Sequence, residues 1–79
     1  MDLRHLRYFQ AVATLLNFSR AAEQLHVAQP AISRQIRDLE YEIAVTLFRR
    51  SCSRVQLTEA GKYFLNQTGL LLELLNNAE

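Results

Sequence analysis

Apolar residues recur in the first part of the chain at the three- and four-residue spacing of amphipathic helices. In residues 3–16 they form one stripe, and Asp2 precedes it as a plausible N-cap. The members of this stripe are Leu3, Leu6, Phe9, Val12, Ala13 and Leu16. A second short apolar pattern covers about residues 20–26, with Ser19 as its expected N-cap. The spacing predicts two helices separated by a stop at Asn17.

A third helical pattern follows a short joint at Val27 and Ala28. Proline disfavours helical geometry in the preceding residue and suits the first turn of a helix, so this helix is predicted to run from Pro30 to about Glu42. Its inward positions are aliphatic, whereas its outward face carries Ser, Arg and Gln. Two short helices with a tight joint, the second with a polar outer face, are typical of a helix-turn-helix, here over about residues 18–37.

Two short β-prone runs come next, at Val45–Phe48 and Val55–Leu57. The segment between them holds three arginines and no acidic residue. We interpret residues 45–57 as a two-stranded hairpin with a basic tip, which is the wing of a winged helix-turn-helix.

The last predicted helix begins at Thr58 and continues to the end of the chain. Gly61 lies early in this helix, where its missing side chain would let another backbone pack closely. From Tyr63 onward the apolar residues cover more than one face, so we expect one face to pack on the domain and another on the same helix of a second chain. The candidate dimer-interface residues are Phe64, Leu71, Leu74 and Leu75.

The predicted fold is therefore mainly α. Residues 1–57 form a winged helix-turn-helix with a three-helix core and a two-stranded wing, and residues 58–79 form a long linker and dimerisation helix. A chain of 79 residues has a thin core, which a partner chain would help to stabilise.

Charge and cysteine content refine this picture. The net charge is only +1, but residues 1–57 carry eight arginines against five acidic residues, and arginine makes forked contacts to phosphate and guanine. The single cysteine, Cys52, excludes an internal disulfide and fits a reducing cytoplasm. We find no secretory signal at the start and no apolar run long enough to span a membrane, so we expect a cytoplasmic protein.

Several linked motifs resemble those of a known family. They are residues 3–9 (LRHLRYF), 17–22 (NFSRAA), 29–36 (QPAISRQI), 47–50 (LFRR) and 57–61 (LTEAG). In this order they resemble the N-terminal DNA-binding domain of LysR-type transcriptional regulators, over nearly the whole chain.

The resemblance implies a winged helix-turn-helix and a linker helix that pairs antiparallel with its mate in a dimer. It also implies a tetrameric whole protein that binds an interrupted inverted repeat in double-stranded DNA. A domain that senses a small-molecule inducer should follow, and since this chain ends within the linker helix, we expect a fragment without that domain.

Two positions depart from the family pattern. Ala44 stands where relatives usually carry glycine, and a left-handed backbone there would cost alanine about 1 kcal/mol. Ala28 stands where relatives commonly have serine or threonine, so we expect the third helix to lack a hydroxyl cap.

The first turns of the third helix hold the candidate base-reading residues. Gln29, Ser33 and Arg34 can hydrogen-bond to base edges, since glutamine suits adenine and arginine suits guanine. Pro30 and Ala31 offer apolar contact to a thymine methyl group. A phosphate contact is the alternative for Arg34.

Other polar residues are candidates for contact with the DNA backbone or the minor groove. Ser19 is assigned either to phosphate or to a purely structural cap. The backbone candidates are Ser19, Arg20, Gln35 and Arg37. The wing candidates are Arg50, Ser53 and Arg54, with a solvated turn as the alternative.

Other classes of function find little support in the sequence. His5 and His26 lie far apart without cysteine or carboxylate at metal-ligand spacing, so we expect no metal, and we expect no other cofactor. No set of nucleophile, base and carboxylate suggests catalysis. The remaining alternative is a winged-helix module for protein–protein assembly that does not bind DNA.

Overall fold

Three helices pack into a core, and a β-hairpin and a fourth helix follow them along the chain. The computed structural model of the protein describes residues 1–51 and 54–77. The elements are α1 (Leu3–Leu15), α2 (Phe18–Leu25), α3 (Gln29–Ile43), β1 (Phe48–Ser51), β2 (Arg54–Leu57) and α4 (Glu59–Asn76). The two strands are antiparallel neighbours, and the predicted mainly helical fold with a two-stranded wing is confirmed.

Side-chain caps start three of the four described helices. Asp2 forms a capping box with His5, in which the carboxylate accepts from the His5 amide at 3.1 Å and the Asp2 amide donates to His5 Nδ1 at 3.1 Å. The hydrogen bond from the His5 amide lowers the pKa of Asp2. Thr58 caps α4 by accepting from the Gly61 amide at 2.9 Å, as predicted.

The start of α2 differs from the prediction. Asn17, and not Ser19, is the N-cap, since Asn17 Oδ1 accepts from the Arg20 amide at 2.8 Å. The helix therefore begins at Phe18, two residues earlier than a cap at Ser19 would allow, and Phe18 is buried in the core. Asn17 thus caps the start of α2, whereas α1 ends at Leu15 and is followed by Leu16, its left-handed C-cap.

Left-handed residues end each of the first three helices. Leu16, His26 and Ala44 have φ angles of 52°, 58° and 57°. Ala44 therefore has the left-handed backbone at which alanine is less stable than glycine by about 1 kcal/mol. The cap backbone amide of Ala44 nevertheless satisfies the carbonyl of Tyr41 at 3.2 Å.

The predicted starts of α3 and of the first wing strand differ from those in the structure. Helix α3 begins at Gln29 and not at Pro30, which occupies the second helical position. Ala28 precedes the helix without a side-chain cap, as expected. Strand β1 begins at Phe48 and not at Val45. Residues 45–47 lie outside the ladder, and the amide of Leu47, directly before β1, is bonded to a side chain of α3.

That side chain is Glu40, which ties α3 to the beginning of the wing. One carboxylate oxygen, Oε2, accepts from the Leu47 amide at 2.7 Å and from the Phe48 amide at 3.2 Å. Both of these residues are buried, so the carboxylate satisfies donors that are withdrawn from water. This role of Glu40 is not evident from the local sequence, because it depends on a contact with a residue seven positions later.

Aromatic rings connect the wing and α4 to the helical core. The Phe9 ring lies 5.4 Å from Phe48 and 5.1 Å from Phe64, and Phe18 lies 5.8 Å from Phe48, measured between ring centroids. Such tilted and edge-on pairs add about 0.5–1.5 kcal/mol each to the burial of their surface. The Phe64 ring is half-buried and packs on Phe9 of the same chain, so part of this side chain is covered within the chain, and its role at a dimer interface stays a prediction.

Gly61 lies where α4 crosses the segment before the wing. A Cβ atom at Gly61 would stand 2.2 Å from the carbonyl oxygen of Leu47, so no larger residue fits without a shift of backbone. The expectation of close backbone packing at Gly61 is confirmed. Gly69 differs, because a Cβ there would meet only the Gln10 side chain, at 3.9 Å.

These two glycines give a matched pair of substitutions. Gly61→Ala should destabilise the chain by about 1–3 kcal/mol because the new methyl group overlaps a backbone carbonyl. Gly69→Ala should stabilise it by about 0.5–1 kcal/mol, since alanine favours the helix and has room. Urea denaturation of both variants measures the difference. Equal effects of the two substitutions would contradict the packing described for Gly61.

The Glu40 contact gives a second prediction. Glu40→Ala should lower the free energy of unfolding by about 1–3 kcal/mol, because it leaves the buried Leu47 amide without an acceptor. Glu40→Gln keeps a carbonyl oxygen and should lose less, whereas Glu23→Ala, at an exposed position of α2, is the control. Hydrogen exchange of the Leu47 and Phe48 amides should accelerate in Glu40→Ala. Unchanged exchange at both amides would rule out the contact.

Candidate nucleic-acid interface

The first turns of α3 present most of the predicted base-reading residues to solvent. Four of them are exposed and one, Ser33, is half-buried. The exposed ones are Gln29, Pro30, Ala31 and Arg34. The Gln29 carboxamide is held within the helix, because its Nε2 donates to Ser33 Oγ at 2.9 Å. The structure therefore brings the predicted base-reading residues together on one helical segment, of which residues 29–37 contain no acidic residue.

The predicted phosphate-contacting residues on α3 are not equivalent. Arg37 is exposed, two turns along the helix from Gln29. Gln35 is half-buried, and its Oε1 is enclosed without a hydrogen-bond partner among the described residues. Part of the polar group of Gln35 is therefore directed away from solvent, which the sequence pattern did not indicate.

The N-terminus of α2 carries the other two backbone candidates. Ser19 and Arg20 are both exposed in its first turn. The Arg20 amide is already bonded to Asn17, so the free amides of this helix end are those before Arg20. Since Asn17 is the cap, the Ser19 hydroxyl is not required for that purpose.

The wing directs its arginines to opposite faces. Phe48 pairs with Leu57 and Arg50 pairs with Val55, so these four side chains share the face toward the core. The Arg50 guanidinium lies over the Phe18 ring, with its Cζ 4.2 Å from the ring centroid. Arg50 is thus held against the start of α2 and does not extend from the tip as a free side chain.

The outer face of the wing carries the other two arginines. Arg49 pairs with Gln56, and Arg54 pairs with Ser51, so all four lie on the face opposite Phe48. All are exposed. Arg49 was missed as a candidate, although the alternation of strand side chains after the buried Phe48 could have identified it. The predicted site residue Ser53, like Cys52, lies outside the described residues.

Helix α4 leaves a set of apolar side chains uncovered on one side. Leu72 and Thr68 face the core and are buried, whereas the predicted interface residues Leu71, Leu74 and Leu75 are exposed. Leu74 is 68% exposed, and a group of leucines left exposed side by side is typical of an interaction surface. Exposed large residues that we had not assigned to this face are Tyr63 and Leu70.

The described residues contain neither a metal-binding cluster nor a helix that could span a membrane. Within residues 1–51 and 54–77, no group of His, Cys, Asp and Glu side chains is arranged so as to hold a metal ion. In the same ranges, no helix combines the length and the apolar character that crossing a membrane requires.

Comparison with known proteins gives a consistent result. The sequence profile of the bacterial regulatory helix-turn-helix proteins of the lysR family matches residues 3–62. The chain is 54% identical over 79 residues to the Hca operon transcriptional activator HcaR of Escherichia coli (strain K12), covering 100% of the chain and 27% of that protein. It is 51% identical over 76 residues to the regulator CatR of Pseudomonas putida, covering 96% of the chain and 26% of that protein.

Solved structures agree with this match. The DNA-binding domain of BenM in complex with catB site 1 DNA superposes with a TM-score of 0.94 at 42% identity, over 98% of this chain and 86% of that one. The complex of the CbnR DNA-binding domain with DNA gives a TM-score of 0.94 at 44% identity, over 99% of this chain and 90% of that one.

The chain thus spans about a quarter of the length of the curated relatives and nearly all of the isolated DNA-binding domains. The profile match covers more than half of the chain, and it agrees with the motifs and with the fold. The chain belongs to the lysR family of bacterial regulatory helix-turn-helix proteins.

Proposed function

We propose that the chain binds double-stranded DNA with sequence specificity, as the DNA-binding domain of a dimeric transcriptional regulator of the LysR type. The observation that carries the proposal is the start of α3, where Gln29, Ser33 and Arg34 lie together on an outward helical segment without acidic residues. The solved domains of BenM and CbnR, which share this fold, are complexes with DNA.

In this proposal α3 enters the major groove by its N-terminal turns. Arg34 is long enough to donate two hydrogen bonds to guanine, and Gln29 offers a donor and an acceptor to adenine. Pro30 and Ala31 provide apolar surface for a thymine methyl group. Each well-formed bidentate pair discriminates against the wrong base by about 1–3 kcal/mol, so two such residues suffice for marked preference at two positions.

Contacts with phosphate would set the orientation of α3. Ser19 and Arg20 lie at the exposed N-terminus of α2, where the helix dipole favours an anion. Arg37 and the amide of Gln35 are the candidates on α3 itself. Arg50 joins the group at α2, because it is stacked on Phe18 at the beginning of that helix.

The outer face of the wing is proposed to contact the adjacent minor groove. Arg49 and Arg54 share that face with Ser51 and Gln56. Arginine is attracted to narrow minor grooves in A·T-rich sequence by their negative potential. Ser53 remains a candidate from the sequence alone.

The whole protein is proposed to act as a dimer or tetramer of such chains on an interrupted inverted repeat in the bacterial cytoplasm. The exposed leucines of α4 would pair with the same helix of a second chain. In the whole protein, a further domain would bind a small-molecule inducer. This chain corresponds to about a quarter of the length of its relatives. We propose no enzymatic activity, because the relatives are transcriptional regulators.

Arg34→Ala tests the base-reading assignment. We expect binding to the preferred duplex to weaken by about 1–3 kcal/mol, with loss of preference at one base pair of each half-site. Arg37→Ala should weaken binding to all duplexes equally and reduce the log–log salt slope by about 0.9, because it removes one phosphate contact. Fluorescence anisotropy with a duplex selected from a random pool measures both quantities.

Arg4→Ala, at the exposed start of α1, serves as the control for the loss of a surface arginine. Unchanged base preference in Arg34→Ala would show that Arg34 contacts phosphate only. A wild-type chain that selects no sequence, and whose weak binding is insensitive to salt, would instead favour an assembly module that uses α4 without binding DNA.

The double variant Leu71→Gln/Leu74→Gln tests the α4 interface. The wild-type chain should sediment as a dimer at tens of micromolar, and the variant should dissociate because glutamine removes apolar surface while preserving helix propensity. Tyr41→Gln, which replaces an 88% exposed side chain of α3, is the control and should leave the dimer intact. An unchanged mass for the double variant would exclude these leucines from the interface.

A further inference from the structure

The hydrogen bond between Gln29 and Ser33 has a consequence for base recognition. We propose that Ser33 is a positioning residue for Gln29 and thereby sets a preference for adenine over guanine at the base pair that Gln29 reads. This inference rests on the proposed function, since it concerns how the same α3 segment reads DNA. Its geometric basis is the contact of Gln29 Nε2 with Ser33 Oγ at 2.9 Å.

The two residues are suitably placed for this role. Gln29 begins α3, and Ser33 follows four residues later, so both lie on the same side of the helix. Gln29 is exposed, whereas Ser33 is half-buried and so has less freedom to move. Ala28 before them provides no side-chain cap that would compete for either group.

A primary amide carries one acceptor oxygen and two N–H donors. One N–H lies beside the oxygen, and together they form the edge that matches N6–H and N7 of adenine. The other N–H points back along the side chain. We assign this second N–H to Ser33, which leaves the adenine-reading edge free and fixes its direction before DNA is bound.

The same hydrogen bond acts against guanine. Guanine presents two acceptors in the major groove, O6 and N7, and a freely rotating carboxamide can approach them with both of its N–H groups. When Ser33 accepts one N–H, only one donor remains beside an oxygen that repels O6. Ser33 therefore contributes to specificity through the orientation of Gln29.

The experiment compares matched duplexes. A duplex selected by the wild-type chain from a random pool is changed one base pair at a time, and the position where Gln29→Ala loses its preference is taken as the base pair read by Gln29. The affinity ratio of A·T to G·C at that position is then measured by anisotropy for each variant.

Ser33→Ala should lower this ratio by about 3- to 10-fold, which corresponds to freeing one ordered side chain. Ser33→Thr keeps the hydroxyl and should restore the ratio. In the Gln29→Ala background, Ser33→Ala should have no further effect on it. Ser19→Ala, which removes a serine hydroxyl from α2, is the control. It should change the affinities for the A·T and G·C duplexes by the same factor, so that their ratio is unchanged. Circular dichroism and thermal unfolding should be unchanged, because the Gln29–Ser33 contact is exposed.

Three results would overturn the proposal. The first is an unchanged affinity ratio in Ser33→Ala. The second is that Ser33→Ala lowers the ratio by the same factor in the Gln29→Ala background. The third is that the base pair read by Gln29 prefers a base other than adenine, or that no such base pair is found. In each of these cases the wild-type chain still selects a sequence, so the proposed DNA binding stands. Failure of the wild-type chain to select any sequence would overturn both.

Discussion

The peptide groups on either side of Leu47 attach three parts of the structure to one another. The Leu47 amide donates to Glu40 of α3, and its carbonyl accepts from the Thr58 amide at 3.0 Å, directly before α4. The same carbonyl faces Gly61, where a methyl group would not fit. The Leu47 side chain is fully buried. Helix α3, the wing and α4, the proposed dimerisation helix, are therefore joined to one another through one buried residue.

This arrangement limits how the proposed interfaces can move independently. A displacement of α4 must carry the Leu47 carbonyl with it or break its bonds to Thr58, since the contact at Gly61 leaves no gap. Movement of Leu47 would in turn displace Glu40, and therefore α3, through the hydrogen bond of the Leu47 amide. Aromatic packing adds a second connection, because Phe9 contacts both Phe48 of the wing and Phe64 of α4. In the proposed dimer, these contacts would link the geometry of the α4 interface to the spacing of the two α3 helices.

Most of the elements were predictable because their signals are local. Apolar periodicity, Pro30 and the cap Thr58 act within a few residues of the boundaries that they set. The errors arose where a distant partner decides the outcome. The segment directly before β1 is held by Glu40, whose carboxylate accepts from the Leu47 amide seven residues later. At the start of α2, Asn17 is the cap although Ser19 is also a good capping residue, and the intervening Phe18 is buried in the core.

The candidate site shows the same division. The exposure of Gln29 and Arg34 follows from their positions opposite the aliphatic face of α3. The direction of Arg50 does not, because it requires the strand register and the position of the Phe18 ring. Likewise the enclosure of Gln35 Oε1 cannot be predicted from the helical pattern of α3 alone.

The left-handed residues that end α1, α2 and α3 have a consequence for how the chain tolerates sequence change. Leu16, His26 and Ala44 each carry a side chain where glycine would be unstrained, at a cost of about 1 kcal/mol each. A domain of this size is stabilised by only about 4–12 kcal/mol. The chain therefore folds with a narrow margin against further destabilising mutations. Conversely, its helix ends are places where glycine could enlarge that margin without changing any residue proposed to contact DNA.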